Sequence, residues 1–150
     1  KEEELISLYR SADAFVLPTR GEGWGRSLAE AMAMELPVIA TNWSGNTQFM
    51  NENNSYLLPI EKFEEVKSMP DHHQWAVPSV WELRKLMREV YCNREEAKEK
   101  GGRARDHIVE HFSHEAAVPV FVDYINNLFE KQKEEKEKIL EEQRKRIEKK

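Results

Sequence analysis

The stretch DAFVLPTRGEGWGRSLAEAMAM, residues 13–34, decides how this chain folds. It reads as a short, buried apolar strand, a turn with three glycines and a helix that opens at or just after Gly25. The first backbone N–H groups of a helix lack helical partners, and the helix dipole adds about half a positive charge there. Gly21, Gly23 and Gly25 allow positive φ angles and a close approach to a ligand. The pattern therefore predicts a phosphate-binding turn.

Two carboxylates border this turn. Glu22 lies in the turn and Glu30 lies two turns into the helix, with seven residues between them. Because a carboxylate repels a phosphate, we expect both side chains to face neutral, hydroxyl-rich parts of the ligand. A phosphate flanked by hydroxyl groups is typical of a nucleotide sugar, which is the ligand that we predict.

The next strand completes a βαβ unit. Pro37 stops the helix and starts the apolar strand VIAT, residues 38–41. Such a unit pairs its strands in parallel and crosses over with right-handed connectivity. Ligands of open parallel sheets lie beyond the carboxyl ends of the strands, which is where residues 19–25 and 42–47 fall. The predicted fold class is α/β, with a Rossmann-like parallel sheet and flanking helices.

The same residues carry a resemblance to a known family. GEGWGRSLAEAMAMELPVIAT, which contains Glu22 and Glu30, resembles the E-x7-E signature of the retaining glycosyl transferases group 1, family four, which have the GT-B fold. WSGNTQFM, WAVPSVWELRKLMREV and FSHEAAVPVF are similar to that family too, so the resemblance covers roughly residues 1–129. It implies the C-terminal, donor-binding domain of an enzyme that moves a hexose from a UDP-sugar or GDP-sugar to an acceptor, with retention and without a required metal.

The resemblance also implies roles for individual residues. Glu22 contacts hydroxyls of the donor sugar and orients it without acting as a nucleophile, whereas Glu30 binds the ribose. The residues expected around the pyrophosphate are Gly21, Gly23, Trp24, Gly25, Arg26 and Ser27. Two roles stay open for Arg26, a phosphate contact or exposure to solvent. Leu28 has two as well, packing on the nucleobase or in the core.

Some family features are altered or missing. Asn46 and Gln48 stand where the family commonly has proline and glutamate. The family's basic Arg/Lys pair and its acceptor-binding domain would lie upstream of Lys1. We therefore expect the chain to be incomplete at its N-terminus and inactive alone, with the acceptor domain as its partner in the same parent chain.

Composition excludes several other functions. A net charge of -5 leaves no dominant basic face for nucleic acid. No apolar run approaches the ~18 residues needed to span a bilayer. The single Cys92 cannot form an internal disulfide, which fits a reducing, cytoplasmic location. His72 and His73 lack a third ligand at useful spacing, and His107, His111 and His114 lack the acid of an H-E-x-x-H pattern. We therefore predict no metal site.

The rest of the chain gives a coarser prediction. An amphipathic helix is expected over residues 2–12, a third strand over 55–60 and an irregular excursion over 61–78. Helix N-caps are predicted at Ser79, Asn93 and Ser113. From Glu130 onward the composition becomes charged with few apolar positions, which predicts a long solvated helix.

The predicted organisation is therefore a donor-binding domain, residues 1–129, followed by a charged helical tail, residues 130–150. Two alternative functions remain open. One is a non-catalytic binding module that keeps the GT-B-like fold and uses the charged tail for protein contact. The other is a sugar-nucleotide epimerase of the same fold.

Overall fold

The computed structural model of this protein describes residues 2–66 and 73–148. The helices are α1 (Glu2–Arg10), α2 (Arg26–Ala33), α3 (Val80–Cys92), α4 (Arg94–Phe112) and α5 (His114–Glu148), with a short 3-10 helix over Gly45–Gln48. The strands are β1 (Phe15–Leu17), β2 (Val38–Thr41), β3 (Tyr56–Leu58), β4 (Ile60–Glu65) and β5 (Gln74–Pro78). The chain forms two compact units, Lys1–Glu110 and His111–Lys150.

The first unit is built on a parallel sheet in the order β1–β2–β3. Phe15 lies opposite Val38, and Ile39 lies opposite Tyr56. The predicted βαβ unit and parallel sheet are therefore confirmed. The prediction that β1 is a buried strand was wrong, because its residues are only half-buried. Among the described residues β1 pairs with β2 alone and forms an edge of the sheet.

The core lies between β2 and α2. All four residues of β2 are buried, as expected for the middle strand of a parallel sheet. Helix α2 turns one apolar side toward them. The buried residues of α2 are Leu28, Ala29, Ala31 and Met32. Phe49 and Met50, which follow the 3-10 helix, extend the same core cluster below the glycine turn.

A hairpin replaces the irregular excursion that we expected over residues 61–78. β4 pairs with β5 in antiparallel orientation, with Phe63 opposite Ala76 and Glu64 opposite Trp75. The prediction was wrong because most residues of β4 are exposed and polar, so they lack the apolar alternation that marks a strand. Met69, Pro70 and His72, on which the prediction partly rested, lie outside the described residues.

Helices α3 and α4 complete the first unit, and their predicted starts are confirmed. The Ser79 hydroxyl accepts a 3.5 Å hydrogen bond from the N–H of Glu82 at the start of α3. The carbonyl of Asn93 accepts from Ala97 N–H at 3.0 Å at the start of α4. Ala97 is buried in a second core cluster with Ile39, so α4 covers part of the sheet.

The second unit consists mainly of α5. The Ser113 hydroxyl accepts a 3.2 Å hydrogen bond from Ala116 N–H, which confirms the predicted cap. No α5 side chain that the structure describes is buried. Lys145 and Glu141 form an i,i+4 ion pair of 2.6 Å. The long charged helix is therefore confirmed. α5 passes without a break through residues 129 and 130, and the division of function there stays a prediction.

Candidate functional site

The glycine turn ends at Gly25, the N-cap of α2, which has a φ of 98°. A Cβ at this position would lie 3.0 Å from Leu28 Cδ1 and 3.2 Å from Asn46 Cβ. Glycine is therefore needed both for the left-handed backbone and for the space. Gly21 and Gly23 do not have positive φ angles and have nothing within 4 Å of a Cβ. Only Gly25 of the three glycines thus requires the conformation that the sequence allowed.

The N-terminus of α2 is open. The N–H groups of Leu28 and Ala29 both donate to the carbonyl of Gly25 at 3.0 Å. Within residues 2–66 and 73–148, no backbone acceptor receives the N–H of Arg26 or Ser27. The N-cap residue Gly25 makes no side-chain cap hydrogen bond either. Two donors at the positive end of a helix are therefore available to an anion.

The loop after β2 is tied to the glycine turn. The carbonyl of Glu22 accepts hydrogen bonds from Ser44 Oγ at 2.6 Å and from Gly45 N–H at 3.0 Å. A Cβ built on Gly45 would overlap the carbonyl group of Gly23. The loops beyond the carboxyl ends of β1 and β2 therefore pack backbone against backbone, as their place at the sheet edge predicted.

Two polar residues below these loops have structural roles that the sequence analysis did not predict. Thr41 Oγ1 donates a 2.6 Å hydrogen bond to the carbonyl of Thr19. Asn46 is buried, and its Nδ2 donates to the carbonyl of Thr41 at 2.9 Å. Both bonds satisfy backbone groups in the interior and hold the two loops against the sheet. Asn46 thus has a structural task at a position where the family commonly has proline.

The Glu30 carboxylate is held from two sides. Tyr9 donates its hydroxyl to Oε2 at 3.2 Å, and Arg26 donates Nε to Oε1 at 2.8 Å. Burial first, and then the nearby charge and hydrogen bond of Glu30, raise the pKa of Tyr9 above its usual value. The groove between α1 and α2 has a volume of about 520 Å³, and Leu5, Tyr9, Arg26 and Glu30 are among its lining residues. This volume suits a ligand of nucleoside size.

The remaining predicted site residues have distinct surroundings. The Glu22 side chain is half-buried, and no hydrogen bond or ion pair of its carboxylate occurs in the described part of the chain. Trp24 packs its ring on Phe49, with centroids 4.7 Å apart. The Arg26 side chain is 90% exposed. Leu28 is fully buried. Of its two open roles, packing in the core therefore agrees with its observed contacts.

The described residues contain neither a cluster of potential metal ligands nor a membrane-spanning helix. In the described ranges, no group of three or more His, Cys, Asp or Glu side chains could hold a metal ion. His72 lies outside those ranges. Across the same residues, every helix is too short or too polar to cross a membrane.

Comparison with known proteins adds independent findings. The family described as "Glycosyl transferases group 1" matches residues 1–68. The capsular polysaccharide biosynthesis glycosyltransferase CapM of Staphylococcus aureus is 38% identical over 69 residues, which is 41% of this chain and 18% of that protein. The lipopolysaccharide core biosynthesis mannosyltransferase LpsB of Rhizobium meliloti is 35% identical over 63 residues, or 42% of this chain and 18% of that protein.

A D-inositol 3-phosphate glycosyltransferase of Corynebacterium urealyticum is 39% identical over 56 residues, 37% of this chain and 13% of its own length. This chain therefore spans less than a fifth of the curated relatives that it matches.

Among solved structures, the sucrose-phosphate synthase of Thermosynechococcus elongatus superposes with a TM-score of 0.65 over 86% of this chain and 28% of that one, at 23% identity. That similarity supports the fold, and the family match over residues 1–68 covers the βαβ unit and its glycine turn. Residues 1–68 are therefore similar to the glycosyl transferases group 1 family.

Proposed function

We propose that this chain is the donor-binding half of a retaining glycosyltransferase, which transfers a glucose-type or mannose-type hexose from a UDP-sugar or GDP-sugar to an acceptor. The observation that carries the proposal is the open N-terminus of α2 between two glutamates. In the part of the chain that the structure describes, the N–H groups of Arg26 and Ser27 donate to no backbone acceptor and the carboxylate of Glu22 has no partner. The carboxylate of Glu30 is anchored by two hydrogen bonds.

The donor pyrophosphate binds at the start of α2. Backbone N–H groups and the helix dipole stabilise its negative charge without a metal ion. The residues proposed to surround it are Gly21, Gly23, Trp24, Gly25, Arg26 and Ser27. Leu28 supports this turn from the core. The exposed Arg26 side chain has the reach and the freedom to move from Glu30 to a phosphate oxygen when the donor binds.

Glu30 binds the ribose. One carboxylate can accept hydrogen bonds from two adjacent hydroxyl groups, and Tyr9 keeps Oε2 oriented while Arg26 can release Oε1. The groove between α1 and α2 adjoins this carboxylate. Glu30 therefore anchors the nucleoside, while the turn anchors the phosphates.

Glu22 positions the hexose. Its carboxylate accepts hydrogen bonds from sugar hydroxyls, and it contributes by orientation rather than by attack on the anomeric carbon. In the transfer, the acceptor oxygen bonds to the anomeric carbon as the bond from that carbon to the phosphate oxygen breaks. The acceptor attacks from the same face that the phosphate leaves, and its proton passes to the leaving phosphate oxygen. The configuration is therefore retained and no enzyme-bound sugar forms.

The partners belong to the same proposal. The acceptor domain resides in the same parent chain, and the charged end of α5 is available for protein contact. A cytoplasmic location fits the single cysteine of the chain.

Calorimetric titration of the chain with UDP and with GDP tests the proposal. We expect saturable binding of one nucleotide, and loss of that binding in Glu30→Ala. Glu89→Ala, which removes an exposed helical glutamate on α3, serves as the matched control and should bind as the parent chain does. A folded chain that binds neither nucleotide would contradict the donor site. Equal binding by Glu30→Ala would contradict the ribose role.

A further inference from the structure

Two exposed aromatic side chains meet beside the candidate donor site. Trp43, in the loop after β2, and Phe63, in β4, pack edge to face with ring centroids 4.8 Å apart and planes at 68°. Trp43 is 40% exposed and Phe63 is 43% exposed. Edge-to-face contact is a favourable geometry, yet each ring keeps much of its surface in water. The two rings stand at a steep angle to each other, and we call the surface formed by Trp43 and Phe63 the aromatic corner.

The position of this corner connects it to the glycine turn. Trp43 immediately precedes Ser44, whose hydroxyl binds the carbonyl of Glu22. The hairpin that carries Phe63 is attached to the same turn, because Ala76 N–H donates to the carbonyl of Arg20 at 3.1 Å. Both aromatic residues thus lie at the carboxyl edge of the sheet, where ligands of such sheets bind.

The opposite face of the hairpin is different. Trp75 lies opposite Glu64 in the ladder and so shares its face, whereas Phe63 shares a face with Ala76. Arg20 pairs with Glu64 at 2.7 Å and lies over the ring of Trp75 at 5.8 Å. A cation of the chain therefore lies near Trp75, although this ring is itself 45% exposed. On the other face, no cation among the described residues lies over the ring of Trp43 or Phe63.

We propose that Trp43 and Phe63 form a saccharide subsite, in which a sugar ring of a glycan acceptor stacks on the aromatic corner. A sugar ring presents apolar C–H groups on one face and hydroxyls around its rim, so it can cover an aromatic ring while its hydroxyls stay hydrated. Tryptophan is well suited to such contacts, since it offers a large rigid surface. This inference rests on the proposed function. The bound glycan is an acceptor only if the neighbouring Glu22 holds the donor hexose.

Soluble tetrasaccharides test the subsite. The chain is titrated with maltotetraose, cellotetraose and mannotetraose, and binding is followed by saturation-transfer NMR of the sugar protons and by tryptophan fluorescence. We expect at least one of them to bind saturably. Trp43→Ala and Phe63→Ala should each raise its dissociation constant by about tenfold or more, as removal of an aromatic anchor does.

Three further variants make this test specific. Trp43→Tyr should retain most of the binding, because an aromatic ring remains. Trp81→Ala removes an exposed tryptophan on α3 and should bind as the parent chain does. Trp75→Ala should do the same if the sugar binds on the Phe63 face. Unfolding midpoints of all variants identify any that fail to fold. The substitutions of Trp43 and Phe63 test the same site independently.

The outcomes separate this inference from the proposed function. If UDP or GDP binds and no tetrasaccharide saturates, the subsite is overturned and the donor site stands. Equal weakening by Trp81→Ala or Trp75→Ala also overturns it. If a tetrasaccharide binds through Trp43 while neither nucleotide binds, the saccharide contact is supported and the donor proposal fails.

Discussion

Helices α2 and α5 exist for opposite reasons. α2 has eight residues, of which four are buried. An isolated helix of that length is unstable in water, so α2 depends on packing against β2 and its neighbours. α5 has 35 residues, and none of its described side chains is buried. Length and local pairs such as Glu141–Lys145 support it. The difference makes α2 the better-positioned candidate for the proposed ligand site, because packing fixes where its N-terminus points.

Leu28→Ala should cause the largest loss of stability and is the strongest test of whether α2 depends on packing. Leu28 is fully buried between α2 and the core residues around it. Removing its side chain leaves a cavity and should lower the free energy of unfolding by about 4 kcal/mol. Urea unfolding measures the change. A loss below about 1 kcal/mol would mean that α2 does not depend on this packing.

Gly45→Ala should lower the free energy of unfolding somewhat less. It tests how closely the two site loops must approach. The added Cβ overlaps the carbonyl of Gly23, so the loops have to separate. We expect a loss of about 3 kcal/mol, together with weaker nucleotide binding. Gly102→Ala is the matched control, because a Cβ there meets nothing within 4 Å. Equal stability of the two variants would contradict the backbone contact.

Tyr9→Phe should produce a smaller, pH-dependent effect. The pKa of Tyr9 is raised in the folded chain, so this state binds the phenol proton more tightly than the unfolded state does. Tyr9 therefore contributes stability at neutral pH that is lost as the pH rises above about 10. We expect Tyr9→Phe to lose less stability than the parent chain over that range. Parallel unfolding curves at neutral and alkaline pH would show this, and identical pH profiles would contradict it.

Phe121→Ala should have the smallest effect on stability. It tests whether α5 is independent of side-chain burial. Phe121 is exposed on α5, and alanine favours a helix. We expect the free energy of unfolding to change by less than about 0.5 kcal/mol. A loss comparable to that of Leu28→Ala would show that α5 depends on burial as α2 does.

The same contrast explains what the sequence could predict. The βαβ unit was predictable because its apolar runs, Pro37 and the glycine turn are all local signals. The cap at Ser79 was predictable for the same reason. The β4–β5 hairpin was not, since β4 is mostly exposed and its pairing depends on residues further along the chain.

Contacts within the site were less accessible to sequence analysis. The Tyr9–Glu30 hydrogen bond joins residues on two helices, and Tyr9 carried no signal beyond an apolar helix position. The buried bond from Asn46 to Thr41 likewise depends on how the loop folds back on β2. The glycine turn and its two glutamates could be found from the sequence. The residues that hold them required the tertiary structure.

The most direct test of the account is a backbone amide NMR titration of the chain with UDP and with GDP. We expect one nucleotide to change the amide chemical shifts of Gly23, Arg26 and Ser27 most strongly, and to leave those of α5 unchanged. Glu30→Ala should abolish these shifts. Shifts absent from the start of α2, or concentrated in α5, would contradict the assignment of the donor site to the packed helix.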